Sequence, residues 1–215
     1  MDDSVRLPLP CPDDILSQCA ALMARKGYDG TSMRDLARTT GRSLAGLYHH
    51  FSGKEELLFL INERGFQPLL ENATALQETY AHERAAAPRA ASERLLRALI
   101  DAHVGYFAAH LDQMRVLMFG TQSMSSAHGE AIRRLKARYA ACVRHAVGEY
   151  LAAHDRPADA AVVERKSFLL FGMMNWIFGW YSFDEHGPAQ DLAAEIHATF
   201  TQGCLHGPDP APRHG

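Results

Sequence analysis

Basic side chains are concentrated near the amino-terminal end of this 215-residue sequence, where acids are scarce. Residues 25–54 hold six lysines and arginines against two aspartates, a local net charge of +4 within a chain of formal charge −3. The six are Arg25, Lys26, Arg34, Arg38, Arg42 and Lys54. A patch of this kind neutralises phosphate groups, which is the chemistry that nucleic-acid binding requires.

Helix signals divide this basic stretch into two short elements. Ser32 with Asp35 forms a capping-box pattern that opens the first, and Gly41 ends it. Ser43 caps the second, whose inward side includes Leu47. Two short helices joined by a glycine-containing turn predict a helix-turn-helix, whose second helix can enter the major groove of DNA.

The outward side of the second helix fits close contact with DNA. Its residues Ser43, Ala45 and Gly46 are small, and small side chains let a helix approach base edges. Donors suited to phosphate oxygens follow at its end and at the next helix start. They are Tyr48, His49 and Lys54. The alternative is a basic helical pair whose charges are simply solvated.

Residues 15–62 also resemble the DNA-binding module of the TetR family of bacterial one-component repressors. The segment "GYDGTSMRDLARTTGRSLAGLYHHFSGKEELL" follows that family's pattern in order and without gaps. The resemblance implies that Thr31 and Arg34 meet phosphates at the start of the helix that Ser32 caps, which is the second of the three helices of the module. It also implies that residues 43–46 face the bases and that Tyr48, His49 and Lys54 clamp the backbone.

Two residues depart from the family pattern. Arg42 stands where the family usually has a small apolar residue, and Leu44 where it often has lysine or another polar residue. Leu44 either contacts a thymine methyl group or weakens phosphate anchoring. Gly46 has no side chain to hydrogen-bond a base, so we expect fewer direct base contacts than in most relatives.

The remainder of the chain also reads as helices, so the fold is expected to be all-α with about nine helices. A three-helix DNA-binding module is expected at 13–62 and a helical effector-binding and dimerisation domain at 63–206. Pro68 is expected to kink or interrupt a helix. The proline-rich ends, 1–12 and 207–215, are expected to be flexible.

Composition is that of a globular protein, with 47% hydrophobic and 22% charged residues. The four cysteines are scattered without a Cys-x-x-Cys pair, which favours a reduced, cytoplasmic compartment. The beginning of the chain does not resemble a signal peptide. The 17 uncharged residues from Ser167 to Phe183 approach membrane-span length, but flanking amphipathic helices favour a buried helix.

Catalytic and metal-binding patterns receive no support from the sequence. His103 and His110 lie two helical turns apart without a ligand partner between them, so no metal site is predicted. The chain has neither a nucleophile elbow nor a glycine-rich phosphate loop. We therefore expect no enzymatic activity and no cofactor.

The uncharged stretch is predicted to be one helix over about 158–183. At 100° per residue, Gly172, Asn175, Gly179 and Ser182 share one narrow stripe, and apolar residues occupy the other sides. Such a helix should be buried on several faces and wall an apolar pocket with one polar anchor. Core packing is the alternative for each candidate pocket residue. These candidates are Phe107, Met114, Met118, Phe171, Met174, Asn175, Trp176 and Phe178.

The same helix and the last one, about 189–206, are predicted to form a four-helix interface with a second copy of the chain. A homodimer can read both half-sites of a palindrome, whereas one module with few base contacts binds weakly. The predicted interface residues are Trp180, Leu192, Ile196 and Phe200.

The run "GMMNWIFGWY" resembles a stretch in TetR-type regulators of fatty-acid, steroid or aromatic-acid breakdown that respond to acyl-CoA thioesters. This resemblance implies a hydrophobic effector, an acyl-CoA or a related metabolite. A basic run would hold the CoA phosphates unless it is solvated surface. That run is Arg133, Arg134, Lys136 and Arg138.

Taken together, these patterns predict a homodimeric repressor that binds double-stranded operator DNA and is released by a small molecule. Two alternatives stay open. One is a DNA-binding regulator without a small-molecule effector, and the other is a helical hydrolase or carrier.

Overall fold

The computed structural model describes residues 13–119, 124 and 126–206. Over these residues the chain is all-α, as expected, with ten α-helices and no strand. The helices are α1 (Asp13–Lys26), α2 (Met33–Thr39), α3 (Leu44–His50), α4 (Lys54–Arg84), α5 (Pro88–Ala109), α6 (Leu111–Phe119), α7 (Ser126–Ala153), α8 (Ala160–Asn175), α9 (Phe183–His186) and α10 (Ala189–His206). The ends that were expected to be flexible, 1–12 and 207–215, lie outside the described residues.

The chain divides into two compact units. The first runs up to Gln67 and includes Leu111–Leu135, so α6 and the beginning of α7 belong with the basic helices. The second comprises Pro68–His110 and the residues from Lys136 onward. The domain boundary after residue 62 stays a prediction.

In the first unit, α1 packs against α2 and α6, and α2 packs against α3. Leu36, Leu47 and Leu57 are completely buried there, and Phe51 is 1% exposed. Each such side chain contributes roughly 1.5–3 kcal/mol when removed from water. This core fixes the orientation of two helices that are too short to be stable alone.

A glycine sets the distance between α4 and α6 in the first unit. A Cβ atom at Gly65 would lie 2.6 Å from Cδ1 of Leu117, which is closer than side chains pack. Gly65 therefore allows α6 to lie directly against α4.

Pro68 was expected to kink or interrupt its helix, and it does not interrupt it. α4 runs for 31 residues with Pro68 in its interior. Proline in a helix interior costs about 3 kcal/mol because a backbone hydrogen bond is lost. Buried Phe66, Leu69 and Leu70 flank the proline, and their packing offsets this cost.

The prediction of a single helix over about 158–183 is also wrong. α8 ends at Asn175, a 3-10 helix follows at Trp176–Gly179, and α9 is a separate turn. The proposed stripe from Gly172 to Ser182 is therefore not one helical face. Within the single chain, Phe168 and Trp176 of this segment are 64% and 59% exposed.

In the second unit, α5 packs against α10, α8 and the 3-10 helix. α5 begins at Pro88, with proline at the first helical positions, where its missing N–H costs nothing. Among the described residues, no helix is long and apolar enough to cross a membrane.

Candidate nucleic-acid interface

The turn between α2 and α3 has the geometry that the sequence predicts. Gly41 adopts φ +64, a left-handed conformation that favours glycine. The N–H of Arg42 donates to the carbonyl of Ala37 at 3.0 Å, which closes the end of α2 as a Schellman motif. This turn fixes the angle at which α3 leaves α2.

The start of α2 is held by the predicted capping box. The N–H of Asp35 donates to Oγ of Ser32 at 3.2 Å, and the N–H of Ser32 donates to Oδ2 of Asp35 at 3.1 Å. Hydrogen bonds from the Ser32 side chain and backbone, with smaller contributions from the charges of Lys26 and Arg38, lower the pKa of Asp35 to about 2. Asp35 therefore stays ionised and offsets part of the local positive charge.

The second helix, α3, begins with a side-chain cap that also shapes its outer surface. Oγ of Ser43 accepts the N–H of Gly46 at 2.9 Å. A Cβ at Gly46 would lie only 3.1 Å from this oxygen, so glycine accommodates the cap. Ser43 and Ala45 are exposed, which leaves the first turn of α3 narrow and accessible.

Uncommitted donors surround this narrow turn. Arg34 and Arg42 are exposed, and neither forms an ion pair among the described residues. Tyr48 is 52% exposed, and His49 is exposed beside it. We call Arg34, Arg42, Ala45, Tyr48 and His49 the α2–α3 surface. Its composition matches a surface that donates to phosphates and reaches base edges.

Two residues expected at phosphates have internal roles instead. Thr31 is 1% exposed, and its hydroxyl donates to the carbonyl of Gly27 at 2.8 Å. Nζ of Lys54 donates to the carbonyls of Tyr28 and Thr31 at 2.7 and 2.9 Å. It also lies 4.1 Å from the centre of the Tyr28 ring. Thr31 cannot offer its side chain to DNA here, and Lys54 retains only one unengaged N–H.

Leu44 is half-buried and packs against the core of the first unit. This packing accounts for an apolar residue at a position where relatives often have a polar one.

A separate cavity of about 100 Å³ lies in the second unit among α4, α5 and α7. His103 and Tyr139 line it, and Nδ1 of His103 lies 2.8 Å from the Tyr139 hydroxyl. His103 is 2% exposed, and burial lowers its pKa to about 3. The imidazole is therefore neutral near pH 7.

Comparison with known proteins gives two matches that together span most of the chain. The model described as bacterial regulatory proteins of the tetR family matches residues 15–61. The model described as tetracyclin repressor-like, C-terminal domain, matches residues 88–204. The chain belongs to the TetR family. It is therefore a transcriptional regulator with a DNA-binding helix-turn-helix.

Individual relatives agree with this assignment. The negative transcriptional regulator IcaR of the biofilm operon icaADBC in Staphylococcus epidermidis is 38% identical over 45 residues, 21% of this chain and 24% of IcaR. The match thus spans about a quarter of the length of this curated relative. The TetR family regulator PfmR of Thermus thermophilus has a TM-score of 0.75 and 28% identity, over 88% of this chain and 98% of PfmR.

A third similar structure is apo AibR, with a TM-score of 0.68 and 26% identity over 86% of this chain and 96% of AibR. AibR has also been solved in complex with isovaleryl coenzyme A and operator DNA. That second structure, at 24% identity, shows the shared fold alone.

In this TetR-family chain, none of the predicted effector residues is among the residues that line this cavity. Phe107 stacks on His103 with ring centres 4.2 Å apart, and Phe171 lies 6.4 Å away. The side chain of Asn175 is close enough to oppose the lowering of the His103 pKa. Met114 and Met118 belong to the other unit, and Met114 is completely buried near Gly65.

The remaining effector candidates are also separate from the cavity. Met174 and Phe178 are buried, whereas Trp176 is 59% exposed and packs edge-on against Phe178. The sequence missed His103 and Tyr139 because one histidine and one tyrosine on different helices give no spacing signal.

Two of the predicted dimer residues are accessible in the single chain, and two are buried in it. Trp180 is 44% exposed and Leu192 is half-buried, but Ile196 and Phe200 are 7% and 4% exposed within the single chain. Their packing is internal, against the core that contains α5. Exposed apolar side chains also occur on α8, at Phe168 and Leu169, which were not among the predicted interface residues.

The basic run on α7 is not one uniformly exposed cationic surface. Arg134 pairs with Glu130 one turn earlier, and Lys136 is half-buried, which lowers its pKa. Within the described part of the chain, no group of three or more histidine, cysteine, aspartate or glutamate side chains could hold a metal ion.

Proposed function

We propose that the chain is a homodimeric transcriptional repressor that binds a palindromic operator and is released by a small molecule. The observation that carries the proposal is the α2–α3 surface. It combines the small, exposed Ala45 in the first turn of α3 with exposed arginines that have no internal ion pair among the described residues. IcaR, which resembles this module, is named as a negative regulator, and this supports repression.

A second copy of the chain would cover an exposed apolar face of the second unit. Phe168 and Leu169 on α8 are 64% and 62% exposed, and Gly172 one turn later has open space around its Cβ position. Trp176, at the start of the 3-10 helix that follows α8, is 59% exposed. Exposed apolar side chains grouped in this way mark association surfaces in proteins. A glycine among them allows a helix of the partner to approach closely.

Ligand release would follow from a difference in affinity between two states of the dimer. The operator-binding state holds two recognition helices roughly 34 Å apart, one turn of DNA. A ligand that prefers another spacing by about 1–3 kcal/mol lowers the affinity for DNA. The sequence resemblance proposes a hydrophobic effector such as an acyl-CoA, and the isovaleryl coenzyme A bound by AibR belongs to that class.

A mobility-shift titration with the DNA that flanks the gene tests this function. We expect a retarded complex with this fragment at a protein concentration that leaves a shuffled fragment of equal length free. Light scattering on the protein without DNA should give twice the chain mass. Equal affinity for both fragments, or a monomer at the concentrations that shift DNA, would contradict the proposal.

The alternative regulator without an effector keeps the same DNA interface. It predicts operator binding that acyl-CoAs, fatty acids and aromatic compounds all leave unchanged. Trp176 and Trp180 are exposed, so their fluorescence reports on the outer face more than on an internal site. Calorimetry is therefore the better readout for ligand binding.

A further inference from the structure

A histidine and a glutamate from the beginnings of two different helices meet in the first unit. Nδ1 of His128, in the first turn of α7, lies 2.9 Å from Oε1 of Glu55, in the first turn of α4. The His128 ring also stacks on Phe59, one turn further along α4, with ring centres 4.6 Å apart and an angle of 20° between the planes. The imidazole is therefore held against α4 by a hydrogen bond and a ring contact together.

The beginning of α4 is the part of that helix that fixes the end of α3. Only residues 51–53 separate α3 from Lys54, the first residue of α4. The N–H and the hydroxyl of Ser52 both donate to Oε2 of Glu56, at 2.5 and 2.6 Å, so this linker is fastened to the first turn of α4. Lys54 fastens the same turn to the loop between α1 and α2. A shift of the first turn of α4 would therefore be transmitted to α3.

The strength of the contact between His128 and Glu55 depends on the charge of the imidazole. A neutral ring can donate one hydrogen bond to the carboxylate, whereas a protonated ring forms an ion pair through the same atoms. Imidazoles change their charge between roughly pH 5 and 8. The contribution of the ion pair is therefore present at the acid end of this range, where the carboxylate is still ionised, and is lost as the pH rises.

Other charged and titratable groups around this contact come from α4, α7 and the loop between α1 and α2. Arg133 opposes a second positive charge, because one of its guanidinium nitrogens lies 3.2 Å from the Cβ position of Gly129, the neighbour of His128. Glu55 touches the ring directly and has the larger effect, since Coulomb energy falls with distance. The remaining groups are Lys54 and Glu56 on α4, Glu130 and Arg134 on α7, and Tyr28 and Asp29 in the loop.

We propose that His128 and Glu55 are a positioning pair for DNA binding, which holds the beginning of α4, and through it α3, most firmly in the DNA-binding orientation when His128 is protonated. Both side chains are 37% exposed, so solvent screens the pair and the effect on affinity is about two- to fivefold. The inference goes beyond the proposed function and needs only the helix-turn-helix, since neither dimerisation nor an effector enters it.

A double-mutant cycle in DNA affinity tests the pair. The four proteins are wild type, His128→Gln, Glu55→Gln and the chain with both changes, because glutamine keeps a hydrogen-bond donor and loses the charge. Fluorescence anisotropy with the flanking DNA is measured at one ionic strength and two pH values. We expect the two changes to be coupled by about two- to fivefold near pH 5.5 and to be independent near pH 8. His49 and His50 on α3 are present in all four proteins, so their effect on DNA binding cancels in the cycle.

A charge that stays on at both pH values provides the rescue. His128→Lys keeps a cation within reach of Glu55, so its coupling to Glu55→Gln should be present near pH 8 as well. His145→Gln is the matched control, because this exposed histidine of α7 belongs to the second unit and lies 3.2 Å from Arg84 instead of a carboxylate. It should leave the pH dependence of DNA affinity as in wild type.

Three results would overturn the inference. Equal coupling at both pH values would make the contact merely structural, no coupling at either would remove it from DNA binding, and coupling that grows toward pH 8 would reverse its sign. Failure of the proposed function is visible separately, as equal wild-type affinity for the flanking and the shuffled fragment. The cycle is then read on the shuffled fragment at low salt, where phosphate contacts bind DNA regardless of sequence.

Discussion

Nζ of Lys54, the first residue of α4, lies 2.7 Å from the carbonyl oxygen of Tyr28. This hydrogen bond, with the one to Thr31, ties the start of α4 to the loop between α1 and α2. The lysine that the family pattern places at phosphates therefore first stabilises the module that presents α3.

Lys54→Met is expected to destabilise the first unit by about 1.5–3 kcal/mol, because hydrogen bonds to a charged donor are lost while the aliphatic stem is kept. Chemical unfolding monitored by circular dichroism measures the change. Lys26→Met is the matched control, since that side chain is half exposed and makes only a long 3.7 Å ion pair with Asp35. Equal midpoints for the two variants would contradict the internal role of Lys54.

Arg34→Ala and Arg42→Ala are each expected to reduce the salt dependence of DNA binding. Each arginine that neutralises one phosphate contributes about 0.9 to the slope of log K against log salt. Anisotropy titrations at several salt concentrations give this slope. Arg89→Ala, an exposed arginine of the second unit paired with Asp155, should leave it unchanged. An unaltered slope in both α2–α3 variants would show that these arginines do not meet phosphates.

Ser43 is expected to have two separable roles. Ser43→Asn retains a good helix cap, so stability should hold while the preferred operator sequence changes. Ser43→Ala loses the cap on Gly46 N–H and should cost about 1 kcal/mol of stability. Selection of binding sequences from a random DNA pool, with melting curves, checks both. If Ser43→Asn selects the wild-type operator, Ser43 does not contact the bases.

The α8 face is expected to control association. Phe168→Asp and Leu169→Asp place a charge on exposed apolar surface, so the chain should stay folded and become monomeric. Multi-angle light scattering gives the mass, and Ala85→Asp is the control at an exposed alanine elsewhere in the second unit. A folded Phe168→Asp dimer would remove this face from the interface. The variants Ile196→Asp and Phe200→Asp are less informative, because they charge the core of the chain itself.

His103 is expected to make stability depend on pH. Its pKa falls from 6.5 to about 3 on folding, so the unfolded chain binds the extra proton between these values. Its contribution to stability is complete above pH 6.5 and is lost as the pH falls toward 3, by up to about 1.4 kcal/mol per unit. Urea unfolding across this range should show a shallower dependence for His103→Gln than for wild type or the control His110→Gln. Identical profiles for all three proteins would contradict this assignment.

The amino-terminal module could be predicted almost completely because its signals are local. The capping box of Ser32 and Asp35 and the left-handed Gly41 each involve only residues that are close in sequence. The contact at the start of α4 is equally local, because the Ser52 hydroxyl donates to Glu56 at 2.6 Å and α4 begins at Lys54.

The second half could not be predicted as well because its decisive contacts are between distant residues. His103 and Tyr139 are 36 positions apart, and only the packing of α5 against α7 brings them together. In the stretch from Ser167 to Phe183, apolar residues occur on every side. Composition alone therefore could not show that Leu170 is buried while Leu169 is exposed.

Footprinting on the operator tests the central claim most directly, because it reports DNA contact and symmetry in one measurement. We expect two protected half-sites related by a two-fold axis, with centres about one helical turn or somewhat more apart. Tyr48→Ala should weaken both equally. A single unpaired protected site, or no protection of the flanking DNA at low salt, would contradict the assignment of α3 as a recognition helix presented by a dimer.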